Sequence, residues 1–118
     1  MKKLPGLITG LILLAVACSK DDNGDNNNPP GAVDCNTITA AFAANVNPII
    51  QTSCAKAGCH NAGSANGVGA LTTYAQISAN KIAIRAAVSS GNMPKDATLS
   101  ATQKATITCW IDAGAANN

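Results

Sequence analysis

The chain has 118 residues, eight lysines and arginines against six aspartates, and a single histidine. This length leaves room for one domain at most, and no basic cluster of the kind that grips nucleic acid is present. The formal excess of two positive charges belongs to Lys2 and Lys3: residues 18–34 hold Lys20 against four aspartates, while residues 35–118 hold five cations against Asp96 and Asp112.

Behind Lys2 and Lys3, Leu7 to Ala17 form an apolar run of 11 residues. That is too short to span a bilayer and suits the core of a signal peptide. In "LLAVACSK" the small residues Ala15 and Ala17 precede Cys18. The stretch resembles a lipobox, although Ala15 stands where Leu is commoner. Residues 1–17 are therefore expected to be removed, with Cys18 lipidated as the first mature residue and anchoring the chain to a membrane. Ordinary secretion with cleavage nearby is the alternative. Residues 18–34, rich in Asp, Asn and Pro, have almost no apolar content and read as a flexible tether. "SKDD" resembles the acidic export signals of surface-exposed lipoproteins in some Gram-negative bacteria, and a merely soluble tether explains it equally well. The expected setting is the cell envelope of a Gram-negative bacterium, at the outer membrane.

The remaining segment, residues 35–118, is expected to be a small all-α domain. It contains one Phe, one Tyr and one Trp, so its own side chains promise a thin core, and domains of this size often rely on disulfides, metals or cofactors. A haem would supply a large apolar surface in their place. Pro48 suits the first turn of a helix running through "NPIIQTSC", with Ile49 and Ile50 buried. "NAGSANGVGA", residues 61–70, reads as a glycine-rich loop. "LTTYAQISANKIAIRAAVSSG" follows as helix, offering Ile77, Ile84 and Val88 to the core and ending at Gly91. Ser100 with Gln103 forms a capping box for the last helix. There Ile107, Trp110 and Ile111 share one face, and Gly114 stops the helix. No stretch alternates in the manner of a strand.

The chemistry concentrates in "SCAKAGCHNAG". Cys54 and Cys59 lie five positions apart, and His60, the sole histidine, directly follows Cys59. With Cys18 set aside, four cysteines remain in an oxidising setting where free thiols seldom persist. Three allocations compete. Cys54 and Cys59 can add to the vinyl groups of a haem whose iron His60 ligates. The motif is usually C-x-x-C-H, here two residues longer, and Gly58 eases the wider bend. Alternatively the group binds zinc, but Cys35 and Cys109 do not make the second close pair that structural zinc favours. In the third allocation both pairs are disulfides and His60 is incidental. Downstream, Met93 in "SGNMPKD" is the one methionine outside the signal segment. Methionine is a common sixth ligand of electron-transfer haem, and Pro94 biases Met93 away from helix.

Taken together, "VNPIIQTSCAKAGCH", "GVGALTTYAQI", "GNMP" and "LSATQKATITCWIDAGA", over about residues 45–116, resemble the single-haem cytochrome c domains of bacterial exported proteins and lipoproteins. The resemblance implies one covalent haem c on Cys54 and Cys59, axial ligation by His60 and Met93, and electron transfer with no enzymatic conversion of a substrate. A redox partner protein is implied, and the positive domain favours an acidic one. Terminal helices of such domains commonly meet, which implies a Cys35–Cys109 disulfide. Two rival readings are a disulfide-braced binding module without cofactor, and a haem whose sixth position is open for catalysis or sensing.

Overall fold

The computed structural model describes residues 33–118. The expected signal peptide, Cys18 and the tether up to residue 32 lie outside the described residues.

The last helix, α1 to α4 being numbered in chain order, organises the domain. It is α4, Ala101–Asp112. Ser100 Oγ accepts from the Gln103 N–H at 3.1 Å, and the Gln103 side chain accepts from the Ser100 N–H at 2.9 Å. These are the reciprocal bonds expected of S-x-x-Q, and they satisfy two donors that a helix start leaves open. Ile107, Trp110 and Ile111 are all buried, as their shared face predicts. Gly114, at φ +102°, follows the helix end.

Phe42–Val46 forms a π-helical turn that runs directly into α1, Asn47–Ser53, with Pro48 in its first turn. Ile50 is fully buried, whereas Ile49 is only half-buried at the edge of the core. Both faces of α1 cannot point inward, because successive residues lie about 100° apart on a helix. Asn118 supplies acceptors to the start of this segment: its Oδ1 takes the Phe42 N–H and its backbone oxygen the Ala43 N–H, each at 2.8 Å.

The stretch read as one helix is divided into two, α2, Tyr74–Ala79, and α3, Lys81–Ser90. Asn80, at φ −104° and ψ 12°, marks the break, and its side-chain Nδ2 donates to the Gln76 carbonyl at 2.9 Å. An asparagine that bonds its own preceding turn competes with helix continuation. Thr73 and Gln76 start α2 with a second capping box. Ile77, Ile84 and Val88 are buried as expected, and Gly91 ends α3 at φ +78°, a conformation open to glycine without strain.

All described elements are helical, and no strand occurs among the described residues. None of the described helices is long and apolar enough to cross a membrane. The three aromatic residues meet: the Phe42 ring lies 5.0 Å from Tyr74, edge to face, and 5.4 Å from Trp110. Their polar ends are satisfied, with Tyr74 OH donating to the Ala115 carbonyl at 2.9 Å and Trp110 Nε1 to the Ala116 carbonyl at 2.8 Å. A disulfide joins Cys35, in a 3₁₀ turn over Cys35–Thr37, to Cys109 in α4, with a Cα–Cα distance of 5.4 Å.

Candidate functional site

Cys35 and Cys109 pair with each other, and Cys54 and Cys59 are free thiols, not a second disulfide. Both sit on a compact loop that begins where α1 ends. The Ile50 carbonyl accepts from both the Cys54 and Ala55 N–H groups, at 2.8 and 2.9 Å, which widens the last turn and starts the chain on its new course. Lys56 to Cys59 then form a tight turn closed by a 3.0 Å bond from the Cys59 N–H to the Lys56 carbonyl. Gly58, at φ +78°, takes the third position, where a left-handed residue is wanted. The His60 N–H returns to the Cys54 carbonyl at 3.0 Å. The two residues beyond the usual spacing are thus absorbed in a hydrogen-bonded loop, and both cysteines and the histidine remain on one wall.

The glycine-rich loop orients the histidine. His60 Nδ1 lies 2.7 Å from the Gly69 carbonyl, and the His60 carbonyl accepts from the Leu71 N–H at 2.9 Å. A carbonyl oxygen can only accept, so Nδ1 carries the proton and Nε2 of the neutral ring keeps its lone pair. The positive φ angles of Gly67 and Gly69 let the loop fold closely over the ring: a Cβ on Gly67 would stand 3.9 Å from His60 Cε1. Asn66 Nδ2 donates to the carbonyls of Gly58 and Cys59 at 3.0 and 3.2 Å, and Ser64 Oγ also donates to Cys59. Loop 61–70 is therefore a splint for the cysteine loop.

Met93 follows α3 in the segment expected to be loop. Its N–H donates to the Ala87 carbonyl at 3.1 Å, tying the start of this loop to the helix end. The Met93–Pro94 peptide bond is cis.

Two adjoining pockets, of about 250 and 230 Å³, meet along Cys54, His60 and Met93. The first extends between the cysteine loop and the Met93 loop, past Cys59, Asn66 and Lys95. The second runs between loop 67–71 and α3, where Val68, Leu71, Ile84, Ala87 and Val88 make an apolar wall. Together they fall within the usual size of a small-molecule or cofactor site. All four residues singled out in the sequence as attachment and axial positions, Cys54, Cys59, His60 and Met93, line this space. As site residues, sequence reasoning passed over Ala83 and Ala87 of α3, where it had assigned Ile84 and Val88 to the core alone, and the splinting Ser64 and Asn66. For the two alanines, their spacing of four on the same helix was the available sign.

Burial raises the pKa of the Cys54 thiol, with the charges of Cys59 and Asp96 acting in the same direction and nearby Lys56 opposing them. Among the described residues, no cluster of three or more His, Cys, Asp and Glu side chains converges as the ligands of one ion do. The site instead offers two thiols, an imidazole nitrogen and a thioether spread around an apolar space. In comparisons with known proteins, no family, curated protein or solved structure matches this chain.

Proposed function

We propose that this chain is an electron carrier that holds one haem c, exported and anchored to a membrane through lipid on Cys18. The observation that carries the reading is the meeting of Cys54, Cys59, His60 and Met93 around two adjoining pockets while the other two described cysteines pair elsewhere. The donor set fits the group. Two free thiols supply the covalent links, and an imidazole with Nδ1 fixed on a backbone carbonyl presents Nε2, the arrangement that orients a ligating histidine. A methionine thioether is available for the sixth position. When bound, haem iron supplies one-electron exchange between its ferrous and ferric states.

The protein's part is to hold and tune. The loop from Gly67 to Gly69 and the carbonyl bond to Nδ1 together fix the orientation of the His60 ring. A thioether ligand favours the ferrous state and raises the potential. Val68, Leu71, Ile84 and Val88 exclude water from the apolar side. Arg85 is paired with Asp112 and Lys56 with Asp96, and Lys81, Lys95 and Lys104 have no ion-pair partner among the described residues. These three cations favour an acidic redox partner.

The test is the colour of the exported protein. Produced with haem-attachment machinery, it should gain the mass of one haem and keep its pigment through acid–organic extraction, because a thioether bond survives that treatment. A colourless mature protein under those conditions refutes the reading. It would favour the cofactor-free binding module, which the Cys35–Cys109 disulfide would brace equally well. For the anchor, Cys18→Ala should release the protein from membrane fractions.

A further inference from the structure

The widened cysteine motif carries a cation that attachment chemistry does not require. Between Cys54 and Cys59 lie four residues, Ala55 to Gly58, and among them Lys56 Nζ reaches Asp96 Oδ2 at 2.7 Å. Asp96 stands three residues after Met93, across 40 positions of sequence from Lys56. The pair therefore joins the two segments that face each other over the first pocket. From Pro94 to Leu99 the chain makes no backbone hydrogen bond within the described residues, and the Lys56–Asp96 contact is its one side-chain hydrogen bond. Otherwise this stretch is held at its ends, by the Met93 N–H on Ala87 and by the burial of Leu99.

We propose that Lys56 and Asp96 are positioning residues for Met93: they clasp the cysteine loop to the methionine loop, and the widened spacing between Cys54 and Cys59 is what provides the clasp. This rests on the reading of Met93 as an axial ligand. A methionine can hold the sixth position only while its loop stays against the cavity. In this molecule the middle of that loop has one polar tie. The lysine and aspartate side chains are 34% and 55% exposed, so the tie is weak and screened by salt. Its loss should change how often the loop lifts without unfolding the domain.

The experiment uses the full exported chain loaded with haem, as wild type, Lys56→Gln, Asp96→Asn, the two combined, and the reversed pair Lys56→Asp with Asp96→Lys. Carbon monoxide binding to the reduced protein reports the open sixth position, and the near-infrared sulfur-to-iron band of the oxidised protein reports methionine bound. Each single variant should bind carbon monoxide roughly two- to fivefold faster, the scale of an exposed ion pair. The combined variant should be no faster than either single one, and the reversed pair should return towards wild type. Salt of about 1 M should narrow the differences. Haem content and helicity should not move. Haem-loaded single variants that bind carbon monoxide at the wild-type rate, or effects that add in the combined variant, overturn the clasp. A wild type without pigment refutes the electron-carrier reading instead, and with it the role assigned to Met93. The clasp itself is then read from hydrogen exchange of the Met93 amide, bonded to the Ala87 carbonyl, which each single variant should speed two- to fivefold, and unchanged rates would overturn that too.

Discussion

The half of the domain built on α4 and the half that lines the cavity are held together by different means. Around α4, Trp110, Phe42 and Tyr74 pack ring against ring, Ile107 is fully buried, and a disulfide crosses a sequence separation of 74 residues. Around the cavity there is no aromatic side chain. On its apolar side the walls are Ala, Val, Leu and Ile, and its loops are held by backbone carbonyls, left-handed glycines and one exposed ion pair. The domain therefore places its three large aromatic side chains in the scaffold around α4 and smaller residues around the cavity. A thin core in the composition is thus not evenly thin: one side is complete and the other keeps space.

This division makes the scaffold the place where substitution should cost the most stability. Replacing Cys35 and Cys109 together by Ala should lower stability by about 4 kcal/mol on the chain-entropy account of a long closed loop. The fall would be read as a lower urea midpoint, with a steeper slope because the unlinked unfolded chain exposes more surface. Trp110→Ala should cost about 3–5 kcal/mol, since it opens a cavity under Phe42. If either change leaves the midpoint near wild type, the contrast between the halves is wrong.

Met93→Ala tests the other half and should behave in the opposite way. Met93 is half-buried, so the expected cost is about 1 kcal/mol. Its effect belongs to the site: in haem-loaded protein the potential should fall, the near-infrared band should vanish, and the reduced form should bind carbon monoxide. Wild type that lacks the band and binds carbon monoxide as readily as the variant would make Met93 a plain loop residue.

In protein prepared without haem, Cys54 provides a smaller and more local probe. Burial disfavours its thiolate, so alkylation of Cys54 should be slow near neutrality and accelerate only above the pH at which an ordinary thiol ionises. Cys54 that reacts at neutral pH as fast as an unfolded peptide thiol would show that this wall of the cavity is open.

The smallest effect should come from the bidentate pair of Arg85 with Asp112, at 2.7 and 2.9 Å, which joins α3 to α4. The hydrogen bond from Arg85, followed by its charge, holds the Asp112 carboxyl below the usual range. A carboxyl with a lowered folded-state pKa adds stability that is complete above the unfolded value, near about 4, and is lost as pH falls through the folded one. Arg85→Gln should therefore lower stability slightly at pH 7 and flatten its decline below about pH 4. Identical acid profiles for variant and wild type would remove this pair from the account.

The local features of the fold were readable because they are enforced by bonds between near neighbours in the chain. Ser100 with Gln103, Pro48 in a first turn, the glycine stop at Gly91 and the inward face of Ile107, Trp110 and Ile111 all follow from three- and four-residue spacing. The same reasoning was available for Thr73 with Gln76. It was obscured because the apolar pattern from Ile77 to Val88 continues through Asn80, and the break depends on where that asparagine's side chain turns. The Cys35–Cys109 pairing came from resemblance to a family, since four cysteines in a row of residues do not name their partners. That Cys54, His60 and Met93 line the same adjoining pockets, with 32 residues between the last two, is a matter of packing: the glycine-rich loop and α3 must both come to the cavity beside the end of α1. The tie between Lys56 and Asp96 belongs to the same class. Contacts over 40 positions form only after closure of the chain has brought two loops together, and no periodicity in the sequence records them.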